Sequence, residues 1–135
     1  MTKATRNEIP NAMETTFRIC LAIAAIINLL PAILAFLPKK ISTSYGVEVP
    51  DANYELLLRH RAVLFAIIGG VMVYSSISRT VYDLSAIIGL VSMVSFLILW
   101  KLVDGKINSK LLKVVKIDVV GILILLTGYV LFKIQ

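Results

Sequence analysis

Four long apolar segments constrain this chain more than any other feature of its sequence. They cover residues 17–37, 58–77, 84–102 and 111–132. Each approaches the roughly 20 residues that a helix needs to cross about 30 Å of hydrocarbon. Four such segments in 135 residues leave almost no room for a separate soluble domain. We therefore predict one all-α domain over residues 1–135, an integral membrane four-helix bundle with up-down-up-down topology and short connections.

The composition identifies lipid as the solvent of this bundle. Hydrophobic residues make up 59% of the chain, against about half in a soluble domain, and the mean hydropathy is +0.90. A small soluble domain leaves too much surface exposed to hide that many apolar side chains. The first segment is longer than the roughly 7–15 apolar residues of a signal peptide and continues into Pro38-Lys39-Lys40, so we expect it to be retained.

The scarcity of cysteine and histidine excludes several kinds of site. Cys20 is the only cysteine and His60 the only histidine. The chain can form neither an internal disulfide nor a CxxC redox pair, and these two residues cannot build a four-ligand zinc site without many carboxylates. We predict no metal, no cofactor and no catalytic residue. The net charge of +6 fits anionic lipid headgroups better than nucleic acid.

A charged triplet, Arg59-His60-Arg61, opens the second apolar segment. Ionisable groups inside a membrane are functional candidates by default. A helix from its cap near Asp51 to Ile77 would be about 39 Å long at 1.5 Å per residue, which exceeds the hydrocarbon core. We therefore place Glu55 in the interface and the triplet at the hydrocarbon edge, where long basic side chains can also snorkel to water.

The two arginines of the triplet point to different sides of the helix. Ala62, Ala66 and Gly70 follow at intervals of four, and small residues at this spacing let a neighbouring helix approach closely. Arg59 lies on the same flank, whereas Arg61 is turned by about 200° at 100° per residue. We predict that Arg59 enters the bundle and that Arg61 anchors at the headgroups.

Two further polar residues lie within apolar segments. Asp118 shares a helical flank with Gly121 and Gly128, so its carboxylate should face protein. Asn28 lies one turn before Pro31, where proline should kink the helix and free a carbonyl. The Asn28 amide can bond across helices as structural glue or contribute to a ligand site.

These residues form the candidate polar cluster of the chain. Under one interpretation Arg59 pairs with Glu55 and Asp118 and locks the bundle. Under the other, arginine and histidine hold an anionic headgroup, a quinone oxygen or a metabolite, because guanidinium offers a fixed fork of donors and histidine titrates near neutrality. The sequence leaves both open. The cluster comprises Asn28, Glu55, Arg59, His60, Arg61 and Asp118.

Basic residues also predict contacts with lipid headgroups and an orientation. Lys110, Lys113 and Lys116 form a strip at the start of the last helix, suited to anionic headgroups. Of the 14 lysines and arginines, five lie on the side of the two termini and nine on the other. The positive-inside rule then favours termini outside the cytoplasm.

The arrangement of these motifs resembles a known group of proteins. Leu58-Arg59-His60-Arg61-Ala62 precedes Gly69-Gly70, a later helix ends in Leu102-Val103-Asp104-Gly105, and the last helix carries an acid near its start. This pattern resembles the small four-helix bacterial inner-membrane proteins grouped as DoxX-like and related families of unknown function. The resemblance implies the fold and a multi-pass location in the bacterial inner membrane, and the family's arginine corresponds to Arg59 or Arg61.

Three functions are compatible with the sequence. The leading hypothesis is a non-catalytic protein that binds a lipid or small molecule, or serves as an accessory subunit. The alternatives are a small proton-coupled exporter, which needs a membrane carboxylate, and a quinone-linked redox subunit, which some DoxX relatives suggest but which no cysteine pair here supports. Expected partners are membrane lipids, with a homodimer or a partner membrane subunit left open.

Overall fold

The computed structural model describes residues 11–134. Four of its helices are long and apolar enough to cross a membrane, and within these residues there is no β-strand. This confirms the predicted all-α membrane helix bundle. The helices are α1 (Ala12–Leu29), α2 (Ile41–Tyr45), α3 (Ala52–Ser78), α4 (Tyr82–Leu102) and α5 (Ser109–Lys133), with 3₁₀ segments at Leu30–Ala35 and Pro38–Lys40.

Helix α1 begins and ends where its sequence dictates. The Asn11 side chain accepts a hydrogen bond of 2.7 Å from the Glu14 amide and so satisfies one free donor of the first turn. The α-helix stops at Leu29 and tightens into a 3₁₀ segment that contains Pro31. The predicted disturbance at Pro31 is therefore a change of helix type, because proline cannot supply the next α-helical hydrogen bond.

Side-chain caps also open α3 and α5, whereas α4, which follows Val81, has none. Asp51 accepts from the amides of Asn53 at 2.7 Å and Tyr54 at 3.1 Å at the start of α3, where the sequence predicts a cap. Asn108 accepts from the amides of Lys110 and Leu111, both at 2.9 Å, at the start of α5. These caps fix where α3 and α5 begin.

The bundle has two ends, which we name by their connections. At the turn end, α3 passes to α4 through the short segment 79–81, beside the start of α1 and the end of α5. At the loop end, the 36–51 segment and the 103–108 connection cover the other helix termini. Helix α1 packs against α3 and α5, and α4 packs against α5 and less extensively against α3.

The packed face of α3 differs from the predicted one. Ala62 and Gly69 are buried, whereas Gly70 is exposed, with no atom near a Cβ placed on it. A Cβ on Gly69 would lie 2.5 Å from the Leu29 side chain of α1. The close contact thus follows a spacing of seven residues, from Ala62 to Gly69 to Ser76. The predicted Ala62–Ala66–Gly70 flank is therefore correct at Ala62 and wrong at Gly70, and Ala66 is half-buried.

Candidate ligand cavity

The shifted face of α3 reverses the predicted roles of the two arginines. Ala62, Gly69 and Ser76 form one stripe along α3. At 100° per residue, Arg59 and Arg61 lie on opposite sides of this stripe, each about 80° from it. Buried Met72 extends that face toward Arg61. Arg61 consequently lines an internal cavity, and the prediction that it anchors at the headgroups while Arg59 enters the bundle is wrong.

Arg59 instead fastens α3 to the segment that follows α1. Its Nε donates a hydrogen bond of 2.8 Å to the Ala35 carbonyl, and its guanidinium pairs with Glu55 at 3.2 Å. The Glu55 pair confirms the predicted i, i+4 contact, although at 44% and 39% side-chain exposure such a pair contributes little. Within residues 11–134 Arg59 forms no ion pair with Asp118, so that predicted pairing is wrong.

The cavity lies near the loop end between the four spanning helices and has a volume of about 330 Å³. This is within the range of small-ligand sites, roughly 300–1,000 Å³. Most of its wall is apolar, and the polar groups converge from the five α-helices and the 3₁₀ segment Pro38–Lys40. The polar lining residues are Asn28, Lys40, Ser44, Tyr45, Arg61, Ser92 and Asp118.

Arg61 is held in place by aromatic rings. Its guanidinium carbon lies 5.6 Å from the ring centroid of Tyr45, 5.1 Å from that of Phe65 and 5.2 Å from that of Phe96. Such contacts attract the cation to the ring faces without using its N–H donors. Within the described residues the guanidinium makes no hydrogen bond and no ion pair, so its donors are available to a molecule in the cavity.

Asp118 faces the same space. It lies nine residues after Ser109, which is about 13 Å along the helix, and the charge of Arg61 acts on its carboxylate. No hydrogen bond to the carboxylate comes from residues 11–134, and it forms no ion pair with Arg61 there. The prediction that Asp118 faces protein agrees with its half-buried position in the cavity wall.

Asn28 forms one wall of the cavity and links two helices. Its Oδ1 accepts from Ser92 Oγ at 2.9 Å, and its Nδ2 donates to the Ala24 carbonyl at 3.0 Å. The residue is 3% exposed. It is therefore the interhelical link that one interpretation predicted, and its position in the lining keeps the ligand interpretation open.

The short helix α2 covers the cavity from the loop end. Tyr45 is buried there, and Asn108 Nδ2 donates to the carbonyls of Tyr45 at 3.0 Å and Gly46 at 3.1 Å. Burial raises the pKa of the Tyr45 phenol; Arg61 lowers it and Asp118 raises it. Tyr45 therefore keeps its proton at neutral pH and can donate a hydrogen bond into the cavity.

The remaining predicted residues lie outside the cavity. Glu55 and Arg59 form their own pair on α3, and His60 is exposed. Lys110, Lys113 and Lys116 are also exposed, and Lys110 Nζ donates to the Thr43 carbonyl. Their contact with lipid headgroups stays a prediction. Within residues 11–134, no three histidine, cysteine or acidic side chains come together as metal ligands.

Lys40, Tyr45, Phe65 and Ser92 were not predicted as site residues. Lys40 and Tyr45 come from a segment predicted to be a connection, although Ile41 and Tyr45 are spaced by four and both are buried. That apolar pair is a signal for a short helix packed on the bundle. Phe65 and Ser92 carried no signal, because aromatic and hydroxyl side chains are common in membrane helices.

Comparisons with known proteins do not identify a family for this chain. No protein-family model, curated protein or solved structure matches the chain. The DoxX-like resemblance therefore stays a prediction.

Proposed function

We propose that this protein is a non-catalytic membrane protein that binds a small anionic ligand in the cavity at its loop end. The proposal rests on the surroundings of Arg61. Three aromatic rings hold its guanidinium at the cavity wall, and the guanidinium donates no hydrogen bond to any group within residues 11–134. A charge surrounded by hydrocarbon is costly unless it has a partner. A ligand carboxylate or phosphate would meet that need with charge-assisted hydrogen bonds.

The charges of the cavity support an anion with one negative charge. Lys40 and Arg61 contribute two positive charges and Asp118 one negative charge to the lining, so the wall has one positive charge in excess. Asn28, Ser44 and Tyr45 add neutral polar groups that can orient the ligand. Lys40 and Ser44 are exposed at the loop end, which gives the anion a route from the membrane surface.

Octanoate is a suitable probe, since it combines one carboxylate with a chain short enough for the cavity. Labelled octanoate would be dialysed to equilibrium against the protein in neutral detergent, with empty micelles as the blank. Arg61→Gln should weaken binding about 10- to 100-fold, because hydrogen bonds to charged groups contribute about 1.5–3 kcal/mol.

Arg59→Gln is the matched control, since it removes the same group two residues away and outside the cavity. It should leave the octanoate affinity within about twofold, the usual range for a residue that does not touch the ligand. Binding no higher than that of empty micelles would refute the proposal. An equal loss in both variants would show that the effect is not local to the cavity.

Proton-coupled export is a second candidate, which the position of Asp118 favours. A carboxylate that lines a membrane cavity, without an ion pair among the described residues, can exchange a proton for a cation. In liposomes with an imposed pH gradient, such a protein would drive uptake of a lipophilic cation, and Asp118→Asn would abolish it. Absence of gradient-dependent uptake would exclude this candidate.

The location is also part of the proposal. The sequence resemblance to DoxX-like proteins supports the bacterial inner membrane, and the four spanning helices support a multi-pass protein. Fractionation of bacterial cells that produce the chain should recover it with inner-membrane markers. Recovery with outer-membrane or soluble markers would contradict the location.

A further inference from the structure

A second apolar space adjoins the cavity on the lipid-facing side of the bundle. It is a groove of about 610 Å³ between α3 and α4. Arg61, Phe65 and Ser92 line both the cavity and the groove, so the two spaces meet at the side chain that carries the proposed anion contact. The groove thus starts where a bound headgroup would end.

The two walls of the groove are formed by residues of α3 and α4. Near the turn end, Gly89 of α4 lies against Met72 of α3, and a Cβ on that glycine would be 2.7 Å from Met72 Cε. Toward the loop end, Ser92 and Ser95 present small side chains to the groove while Arg61 and Phe96 occupy its end. The lining residues extend from Arg61 to Ile68 on α3 and from Ile88 to Leu99 on α4, which is roughly 10 Å and 16 Å of helix at 1.5 Å per residue.

The walls of this groove face lipid. Ile67 of α3 is 58% exposed and Val91 of α4 is 61% exposed, and both line the groove. In a spanning helix such side chains contact hydrocarbon. A chain from the surrounding membrane can therefore lie in the groove without crossing water.

We propose that the ligand is a single-chain anionic amphiphile, such as a long-chain fatty acid, whose headgroup lies in the cavity beside Arg61 and whose hydrocarbon chain lies in the α3–α4 groove. This inference rests on the proposed function. Three observations select this occupant: the excess positive charge of the cavity, the lining residues that the two spaces share at Arg61, and the exposure of the groove walls to lipid. The amphiphile reaches the site sideways, from the membrane.

A bulky residue in the groove tests this placement. Val91→Trp should lower the affinity for hexadecanoate about tenfold or more, because inserted volume displaces the chain. The same variant should keep octanoate binding within about twofold, since the shorter acid fits the cavity alone. Binding would be measured by the same dialysis, with each acid expressed as its mole fraction in the micelle so that partitioning into detergent cancels.

Two further variants serve as controls. Val94→Trp adds the same ring three residues along α4, outside the groove, and should leave the affinity for both acids unchanged. Ile67→Trp blocks the groove from its α3 wall and should reproduce the effect of Val91→Trp. Retained octanoate binding shows in each case that the variant is folded.

The outcomes separate the two proposals. If neither acid binds to the unmodified protein, the proposed function fails. If both acids bind and Val91→Trp and Ile67→Trp leave hexadecanoate unaffected, the cavity binds the anion but the chain does not lie in the groove, and the present inference is overturned. If Val94→Trp weakens hexadecanoate as much as Val91→Trp does, the effect is not specific to the groove and the inference is also overturned.

Discussion

The two ends of the bundle satisfy their polar groups in different ways. At the turn end, Tyr129 donates to Asp83 at 2.7 Å and Lys133 pairs with the same carboxylate at 2.7 Å. Tyr82 donates to Glu14 at 2.8 Å. At the loop end, Arg61 and Asp118 face a cavity and make no hydrogen bond with the described residues. Charged side chains are therefore paired across helices at the turn end, whereas two charged side chains at the loop end face a cavity, and this difference is the basis of the proposed ligand site.

The aromatic side chains also differ between the two ends of the bundle. At the turn end, the Phe17 ring stacks on Phe132 at a centroid distance of 5.1 Å and meets Tyr82 edge-on at 5.3 Å. At the loop end, the rings of Tyr45, Phe65 and Phe96 surround a guanidinium instead of one another. Aromatic residues therefore fill the core at one end and position a charge at the other.

The largest expected effect is loss of stability at the turn end. Phe17 is fully buried, and Phe17→Ala removes every ring contact it makes with Phe132, Tyr82 and Tyr129. We expect the free energy of unfolding to fall by about 3 kcal/mol. This is at the lower end of the range for truncating a buried aromatic side chain, because the unfolded chain stays in lipid. Titration with a denaturing detergent, followed by circular dichroism, measures this loss.

Phe36→Ala is the control for this prediction. Phe36 is 82% exposed, so its truncation should change the free energy of unfolding by no more than about 0.5 kcal/mol. Equal losses for the two variants would mean that the aromatic cluster at the turn end does not hold the bundle together.

The next prediction distinguishes two roles of Asn108, which holds α2 over the cavity and caps α5. Asn108→Ala removes both contacts and should lower the free energy of unfolding by about 2 kcal/mol. Asn108→Asp keeps an acceptor for the Lys110 and Leu111 amides but removes the donor to the Tyr45 and Gly46 carbonyls. Asn108→Asp should therefore cost less than half as much stability, while octanoate affinity falls about threefold to tenfold because Tyr45 is no longer held in place.

Stability and octanoate affinity would be measured on the same preparations of both variants. If Asn108→Asp left octanoate affinity unchanged, α2 would have no part in the site. If it destabilised the protein as much as Asn108→Ala, the cap would contribute little to the stability of α5.

The smallest predicted effect is a gain of affinity. Asp118→Asn removes a negative charge that acts on Arg61 and would repel a bound anion. Octanoate should bind about fivefold more tightly, which corresponds to about 1 kcal/mol of relieved repulsion between charges in a partly hydrated site. Dialysis measures the change, and Asp104→Asn, which removes the same charge from an exposed position outside the lining, is the control and should leave the affinity unchanged. Weaker binding by Asp118→Asn would instead assign the carboxylate a direct contact with the ligand.

Much of the fold follows from the sequence because lipid imposes simple rules. Apolar runs near 20 residues had to be helices, and Pro31, Asp51 and Asn108 are placed where helices change or begin. The site was harder to predict. The membrane face that holds Arg61 and Asp118 could be deduced from the topology, but the choice between Arg59 and Arg61 depended on which small residues contact α1.

That choice was decided by a contact that the sequence does not reveal. Gly69 and Gly70 are adjacent, and both are compatible with a close helix approach. Only the position of Leu29, whose side chain would lie 2.5 Å from a Cβ on Gly69, makes Gly69 the packed one. The stripe that contains Gly69 lies midway between Arg59 and Arg61, and buried Met72 and Ser75 on the Arg61 side extend the packed face toward Arg61. Lys40 and Tyr45 were missed because their segment was interpreted as a connection, and the only helical signal in it is the single pair Ile41 and Tyr45.

The most direct test of the central claim is a distance between the bound anion and the Arg61 guanidinium. Octanoate labelled with ¹³C at its carboxyl would be bound to protein carrying ¹⁵N in its arginine side chains, in lipid bilayers, and the dipolar coupling measured by solid-state NMR. A charge-assisted hydrogen bond predicts a carbon–nitrogen distance of about 4 Å or less. The coupling should disappear in Arg61→Gln and persist in Arg59→Gln. A coupling that persists in Arg61→Gln and disappears in Arg59→Gln would contradict the account.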